Sequence, residues 1–254
     1  MDLNPIGVLV ASLALVGISV AISAYLRLGF GRSIIWASVR AAIQLTAVGF
    51  LLALVLESQW DGVLAVVWVI LMVVIAAYVV SRRAKASRVF PAAFLAIGAT
   101  TAASLIIVFG TGVLPAEPIQ LIVIAGITIG NALTATVVAA DQVTARIATD
   151  RTQVEGLLAL GFTAKHASRF VVREATRLSL LPQIERTKVV GLVALPGAMT
   201  GLLLAGVSPL DAVTIQLVVM YLVLGTVAIS ATTIALVTAS SAFTPDQRLK
   251  DVPA

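Results

Sequence analysis

Cysteine is absent from the 254 residues, and histidine occurs once, at His166. Disulfides, thiolate metal sites and cysteine nucleophiles are thereby excluded. A conventional zinc or iron cage, which needs several His, Cys or carboxylate ligands, has almost nothing to draw on. Charge is scarce as well: 11% of the residues are charged, whereas a soluble domain carries about a quarter. Glycine is nowhere followed by lysine, so a phosphate-cradling Gly-x-x-x-x-Gly-Lys-Ser/Thr loop does not occur. The chain is therefore expected to have no catalytic residues and no bound cofactor of its own. What it has in abundance is apolar surface: 60% of the residues are hydrophobic and the mean hydropathy is +1.09. That balance requires lipid as solvent.

Windows of roughly 20 mostly apolar residues, the length a spanning helix needs, fall near 5–25, 34–56, 62–80, 91–110, 118–140, 187–206 and 210–238. They predict an all-α polytopic protein, one transmembrane domain over 1–254 with about seven transmembrane helices. The start, Met1-Asp2-Leu3-Asn4-Pro5, has no basic region, and no small-residue cleavage site precedes Tyr25, so the first stretch reads as a permanent span. The connecting segments alternate in charge. Arg27 and Arg32 follow the first span, Arg82, Arg83, Lys85 and Arg88 the third, and Arg248 and Lys250 the last. The intervening loops hold only acids: Glu57 and Asp61, then Glu117, then Asp211. Because Lys and Arg gather on the cytoplasmic side, the N-terminus is expected outside and the C-terminus in the cytoplasm. The net charge of +5 is thus distributed along one membrane face, and no nucleic-acid partner is expected.

Residues 141–188 carry Arg146, Arg151, Lys165, Arg169, Arg173, Arg177, Arg186 and Lys188, and are read as a cytoplasmic segment. Within it, 153–181 is too polar to span and too periodic for a loop. It predicts one or two amphipathic helices whose basic stripe recurs every four residues from Lys165 through Arg169 and Arg173 to Arg177, with Phe162, Val171, Ala175 and Leu178 largely off it. One reading rests that stripe on anionic membrane lipid. The other notes that Glu155, Gly161 and then Leu181-Pro182 follow the order of the loop that permeases of ATP-binding cassette importers insert into their ATPase.

A wider likeness supports the second reading. Glu155-Gly156-Leu157-Leu158-Ala159-Leu160-Gly161 is followed by Val190-Gly191-Leu192-Val193-Ala194-Leu195-Pro196-Gly197-Ala198-Met199-Thr200-Gly201, and then by Ala205 to Val213 with Gln216. Together with Arg40-Ala41-Ala42-Ile43-Gln44-Leu45 and Gly130-Asn131-Ala132-Leu133, these runs closely resemble the Fet-type permease family of ATP-binding cassette transporters. Bacterial iron-export permeases and plant aluminium-tolerance permeases belong to that family. Its members often have Met, Gln and Tyr where Ala198, Leu202 and Ile215 stand. The resemblance implies a permease subunit in the plasma (inner) membrane that works with a separate cytosolic ATPase, which would bind the ATP and Mg. Glu155, Gly161, Lys165, Arg169 and Arg173 are then the expected ATPase-coupling residues. Seven helices are few for one pathway, so a homodimer of permeases is expected.

Polar groups inside the predicted spans mark the candidate pathway and hinge. Arg40 lies about 9 Å from the cytoplasmic start of its span, close enough either to snorkel or to line a cavity, and Gln44 shares its face at i+4. In the fifth span Thr128, Asn131 and Thr134 form a polar stripe beside Gly126-x-x-x-Gly130, whose glycines permit close helix approach. Asn131 reads as helix glue or as a substrate contact. In the sixth, Pro196 and Gly197 break the backbone bonding at mid-membrane, as a packing kink or a functional hinge, with Met199 and Thr200 beside them and Gln216 in the next span.

The leading expectation is an exporter of a metal ion or metal complex working by alternating access, its metal ligands unknown. A gradient-driven carrier is disfavoured because no titratable carboxylate lies within a predicted span. A membrane scaffold or receptor is the remaining alternative.

Overall fold

The computed structural model describes residues 5–84, 89–192 and 194–250. Of the positions used above, Met1 to Asn4, Lys85, Arg88 and Val193 lie outside the described residues. Ten helices are described, with no β-strand among the described residues: α1 Pro5–Tyr25, α2 Gly31–Leu56, α3 Asp61–Arg83, α4 Val89–Gly110, α5 Pro118–Thr149, α6 Arg151–Ala159, α7 Ala164–Ala167, α8 Arg169–Val189, α9 Gly197–Leu204 and α10 Pro209–Ser241. They fall into two units, Met1–Asp61 and Gly62–Ala254.

The first unit is a pair of apolar helices. The chain reverses between α1 and α2 through Arg27 and Gly29, both at positive φ, with the Leu28 amide donating to the Ser23 carbonyl at 2.9 Å. Nearly every other side chain in it is exposed, including Leu15, Trp36, Leu45 and Phe50. In water such a pair could not persist. In lipid those same side chains are solvated by acyl chains, and the helices need only satisfy their backbones.

In the second unit α10 is the central post, packed along α5, α4 and α8. Small side chains make the contact: Ala125, Ala132, Ala139, Ala140, Ala231 and Ala235 are all fully buried. Membrane helices associate through such close contact, because lipid removes the hydrophobic drive that would reward larger side chains. Hydroxyl pairs add to it where α4 meets α10, Thr100 Oγ1 with Ser230 Oγ and Ser104 Oγ with Thr226 Oγ1, each at 3.2 Å. A double-mutant cycle of Ser104→Ala and Thr226→Val, followed by denaturant titration, is expected to give a coupling of about 0.6 kcal/mol. Local sequence sets the helix starts. Pro118 and Pro209 occupy the first turns of α5 and α10, and the Ser208 hydroxyl accepts from the Asp211 amide at 3.3 Å.

Five helices are long and apolar enough to cross a membrane, α2, α3, α4, α5 and α10, and Val10–Tyr25 within α1 is a shorter apolar helix. Six of the seven predicted windows thus coincide with apolar helices. The remaining one does not: 187–206 holds the end of α8, the non-helical residues 190–192 and 194–196, and the eight-residue α9. The break expected at Pro196 is a full interruption of the helix. Pro196 is not an interior residue but the cap of α9, with φ −62° and ψ 144°, and Gly191 at φ +87° turns the chain where α8 ends. The cytoplasmic segment differs as well. Its first nine residues continue α5, and the rest forms three helices, α6, α7 and α8.

Candidate functional site

The interruption acquires its meaning from where α8 runs. Near its start, Glu174 Oε1 lies 3.6 Å from Arg146 Nη2 of α5, and near its end Arg186 Nη1 donates to Asn131 Oδ1 of α5 at 3.5 Å. The two helices are therefore antiparallel over this length. At 1.5 Å per residue, Arg146 lies about 42 Å along α5 from Pro118 and Asn131 about 20 Å. A hydrocarbon core is about 30 Å thick, so a core counted from Pro118 would end short of Arg146 and include Asn131. The final turns of α8 are carried to that depth although they hold Gln183, Glu185, Arg186, Thr187 and Lys188. Only Thr187 and Lys188 fall inside a hydropathy window, at the very start of 187–206, because the turns before them are polar. These final turns run alongside the apolar length of α5 and against α10.

At this junction of α5, α8 and α10 lies a cavity of about 60 Å³. Its polar lining comes from Asn131, Gln183, Arg186, Thr187 and Gln216, and Pro196 closes one side. Asn131 Nδ2 donates to the Ile127 carbonyl at 2.7 Å, which satisfies its donor locally and leaves Oδ1 turned toward Arg186. Gln216 is 8% exposed and its Oε1 is buried without a hydrogen-bond partner. A buried acceptor left unpaired costs about 1–3 kcal/mol, so this amide is a group waiting for a donor. Arg186 itself is exposed and has no carboxylate partner among the described residues. Neighbouring Glu185 is taken by Lys188 Nζ at 2.8 Å.

The predicted pathway residues divide around this cavity. Asn131, Pro196 and Gln216 line it together. Gly197, Met199 and Thr200 do not; they lie on α9, where the Thr200 hydroxyl donates to the Pro196 carbonyl at 3.2 Å. Arg40 and Gln44 belong to the first unit and are exposed there. The glycine stripe of α5 behaves otherwise than expected: a Cβ on Gly126 would meet only the tip of Met72, at 3.6 Å, and one on Gly130 would meet nothing within 4 Å. Thr128 and Thr134 bond their own helix carbonyls, so alanines rather than glycines bring neighbouring helices close here. Arg186, Gln183 and Thr187 were missed by sequence reasoning because they were counted with the cytoplasmic segment. The one available signal was that Arg186 and Lys188 immediately precede the apolar run from Val189.

The predicted coupling residues lie at the opposite, basic end. Two residues beyond the end of α6 stands Gly161, which adopts φ +90°. The Gly161 amide bonds the Leu158 carbonyl at 2.9 Å, and the Phe162 amide bonds the Leu157 carbonyl at 3.1 Å, the pairing of a Schellman cap that favours glycine. This cap holds Leu160 and Phe162 out on either side, 77% and 51% exposed. Glu155 pairs with Arg151 Nε at 2.8 Å on the exposed face of α6, a surface contact of small energetic weight. Lys165 and Arg169 border a second, larger cavity of about 910 Å³ between the starts of α7 and α8 and the end of α10. Arg173 is exposed further along α8, whereas Val171 and Ala175 of the opposite face are buried. The basic stripe is thus distributed over two helices. His166, on α7, has its Nδ1 2.9 Å from the Thr163 hydroxyl. Among the described residues, no three His, Asp or Glu side chains are placed to hold a metal ion together.

Comparison with known proteins agrees with this architecture. A family model described as "Uncharacterised protein family (UPF0014)" matches residues 6–243. The UPF0014 membrane protein STAR2 of Oryza sativa is 36% identical over 227 residues, 87% of this chain and 78% of that protein. The probable iron export permease protein FetB of Escherichia coli is 33% identical over 223 residues, covering 87% of this chain and 86% of its own length. The protein ALUMINUM SENSITIVE 3 of Arabidopsis thaliana is 35% identical over 228 residues, 88% of this chain and 82% of that protein. No solved structure matches the chain at a significant level.

Proposed function

We propose, on the premise that this chain belongs to the UPF0014 family, that this multi-pass membrane protein is the permease subunit of an ATP-binding cassette exporter. It moves iron, or another metal ion or metal complex, out of the cytoplasm, with energy from a separate ATPase that binds the ATP and Mg. The supporting relative is the iron export permease, alike over most of both chains. The observation that carries the reading is the capped turn at Gly161. Leu160 and Phe162 project from the basic end of the molecule, beyond the reach of the acyl chains that solvate the other exposed hydrophobics. Apolar side chains held out on a short rigid turn are what a groove in a cytosolic partner would grip. The basic side chains at this end place it in the cytoplasm, with the N-terminus outside.

In this reading the sixth crossing is discontinuous, made from the end of α8, the 190–196 segment and α9. Interrupted elements are tolerated at membrane depth where they line protein or a water-filled cavity, and such breaks are where transporters hold and release cargo. Glu185, Arg186 and Lys188 are exposed there, and a charge facing lipid at that depth costs several kcal/mol. A second copy of the permease across a shared watery pathway removes that cost, so we assign a homodimer. Glu185 is also the observation that favours the second reading. It supplies the carboxylate at membrane depth that a gradient-driven carrier requires, and that the sequence alone did not place there.

Purified with a cytosolic ATPase and reconstituted into vesicles, the protein is expected to show ATP hydrolysis that depends on the complex and metal flux that depends on ATP. Leu160→Asp with Phe162→Asp should lower the stimulated hydrolysis more than ten-fold, about 1.4 kcal/mol or more of docking energy, while membrane insertion is unchanged. Flux driven by an ion gradient without ATP would instead establish the second reading.

A further inference from the structure

The cavity at the junction of α5, α8 and α10 has a chemical character that selects among cargoes. Its single charged group is Arg186, and no Asp or Glu lines it. Asn131 accepts only one of the guanidinium donors, at a long 3.5 Å, and the nearest acid in sequence, Glu185, is paired with Lys188. An arginine presents five N–H donors and cannot lose its charge, so most of its capacity at this depth is unspent. A bare divalent cation entering here would meet a fixed positive charge with no carboxylate to offset it. A carboxylate or phosphate oxygen would meet charge-assisted donors, which bind it more strongly than neutral ones do. Gln216 adds a second requirement. Its Oε1 is buried and unpaired, and an O–H group on the ligand would satisfy it.

We infer that this cavity binds an oxyanion group of the cargo, a carboxylate or phosphate that also carries a hydroxyl, with Arg186 as its charged donor and Gln216 as the acceptor of its O–H. This rests on the permease reading above. A metal would then travel as an anionic complex with the ligand's oxygens around it, not as a free ion held by the protein. The 60 Å³ space holds one such group, and the rest of the complex lies on the open side of Arg186.

The test is calorimetric binding to the assembled permease–ATPase complex, with citrate, inorganic phosphate and free ferrous ion as separate probes. Citrate or phosphate is expected to bind, and whichever binds more tightly identifies the oxyanion. Arg186→Gln should weaken that binding about ten-fold or more, with Arg186→Lys falling between it and the wild type. Binding is compared only between complexes whose size and co-elution with the ATPase match the wild type. The inference is overturned if neither oxyanion binds the wild type, or if Arg186→Gln binds as tightly as the wild type. ATP-driven flux is scored separately. Its absence while oxyanion binding persists would remove the permease reading and leave the site.

Discussion

Gly161→Val is expected to abolish ATPase stimulation while leaving the protein folded in the membrane. Gly161 sits at φ +90°, where an L residue pays about 1–2 kcal/mol and a β-branched one more. Space is not the obstacle, since a Cβ there would meet nothing within 4 Å. The whole effect is conformational: valine drives the residue back to negative φ, the two cap bonds from Gly161 and Phe162 are lost, and Leu160 and Phe162 no longer project together. Leu160, Gly161 and Phe162 are exposed, while Leu157, Leu158 and Ala164 on either side keep their packing against the buried cluster, so the denaturation midpoint should move little. Gly161→Asn, whose side chain tolerates the left-handed region, should retain part of the activity. Gly156→Ala should be neutral, since Gly156 lies within α6 at ordinary φ with open space around it. Complex-dependent ATP hydrolysis of the three variants in parallel decides the matter. Full activity in Gly161→Val would show that this turn is not the coupling element.

The second large effect is expected at Ala235. It is fully buried in the cluster that joins α5, α8 and α10, where contact between small side chains sets the distance between helices. Ala235→Phe must either displace a neighbouring helix or adopt a strained rotamer, and overpacking of this kind costs about 1–3 kcal/mol, occasionally more. The yield of monodisperse protein after detergent extraction should fall sharply, and the denaturant midpoint of what remains should drop. Ile229→Phe on the same helix adds bulk where the side chain is 57% exposed, facing lipid, and should change neither. Equal behaviour of the two variants would mean that the seam is looser than its burial indicates.

Legibility in the sequence followed the range of the forces involved. A membrane helix announces itself in its own residues, because each apolar side chain is rewarded by lipid wherever its neighbours lie. The windows at 34–56, 62–80, 91–110, 118–140 and 210–238 accordingly fall on α2, α3, α4, α5 and α10. Gly161 was legible only through its place after Glu155 in a permease-like order; that it caps a helix at positive φ came from the structure. The window at 187–206 misled because the run from Val189 to Val207 is long and apolar enough to span, yet Gly191 and Pro196 stop the backbone from using it as one helix. Gly126 and Gly130 misled in the opposite sense, since a small-residue motif permits close approach without requiring it.

By itself the sequence determined that this chain lives in lipid, which of its loops are basic, and that it has neither thiols nor a nucleotide-binding loop. Those are sums over individual side chains, fixed before any folding. Only the tertiary structure decided that the polar end of α8 lies beside the apolar span α5, because that placement comes from Arg186 meeting Asn131 and Glu174 meeting Arg146 across 28 to 55 residues of chain. A polar helix enters the membrane only where other helices shield it, and no window along one strand of sequence contains that shielding.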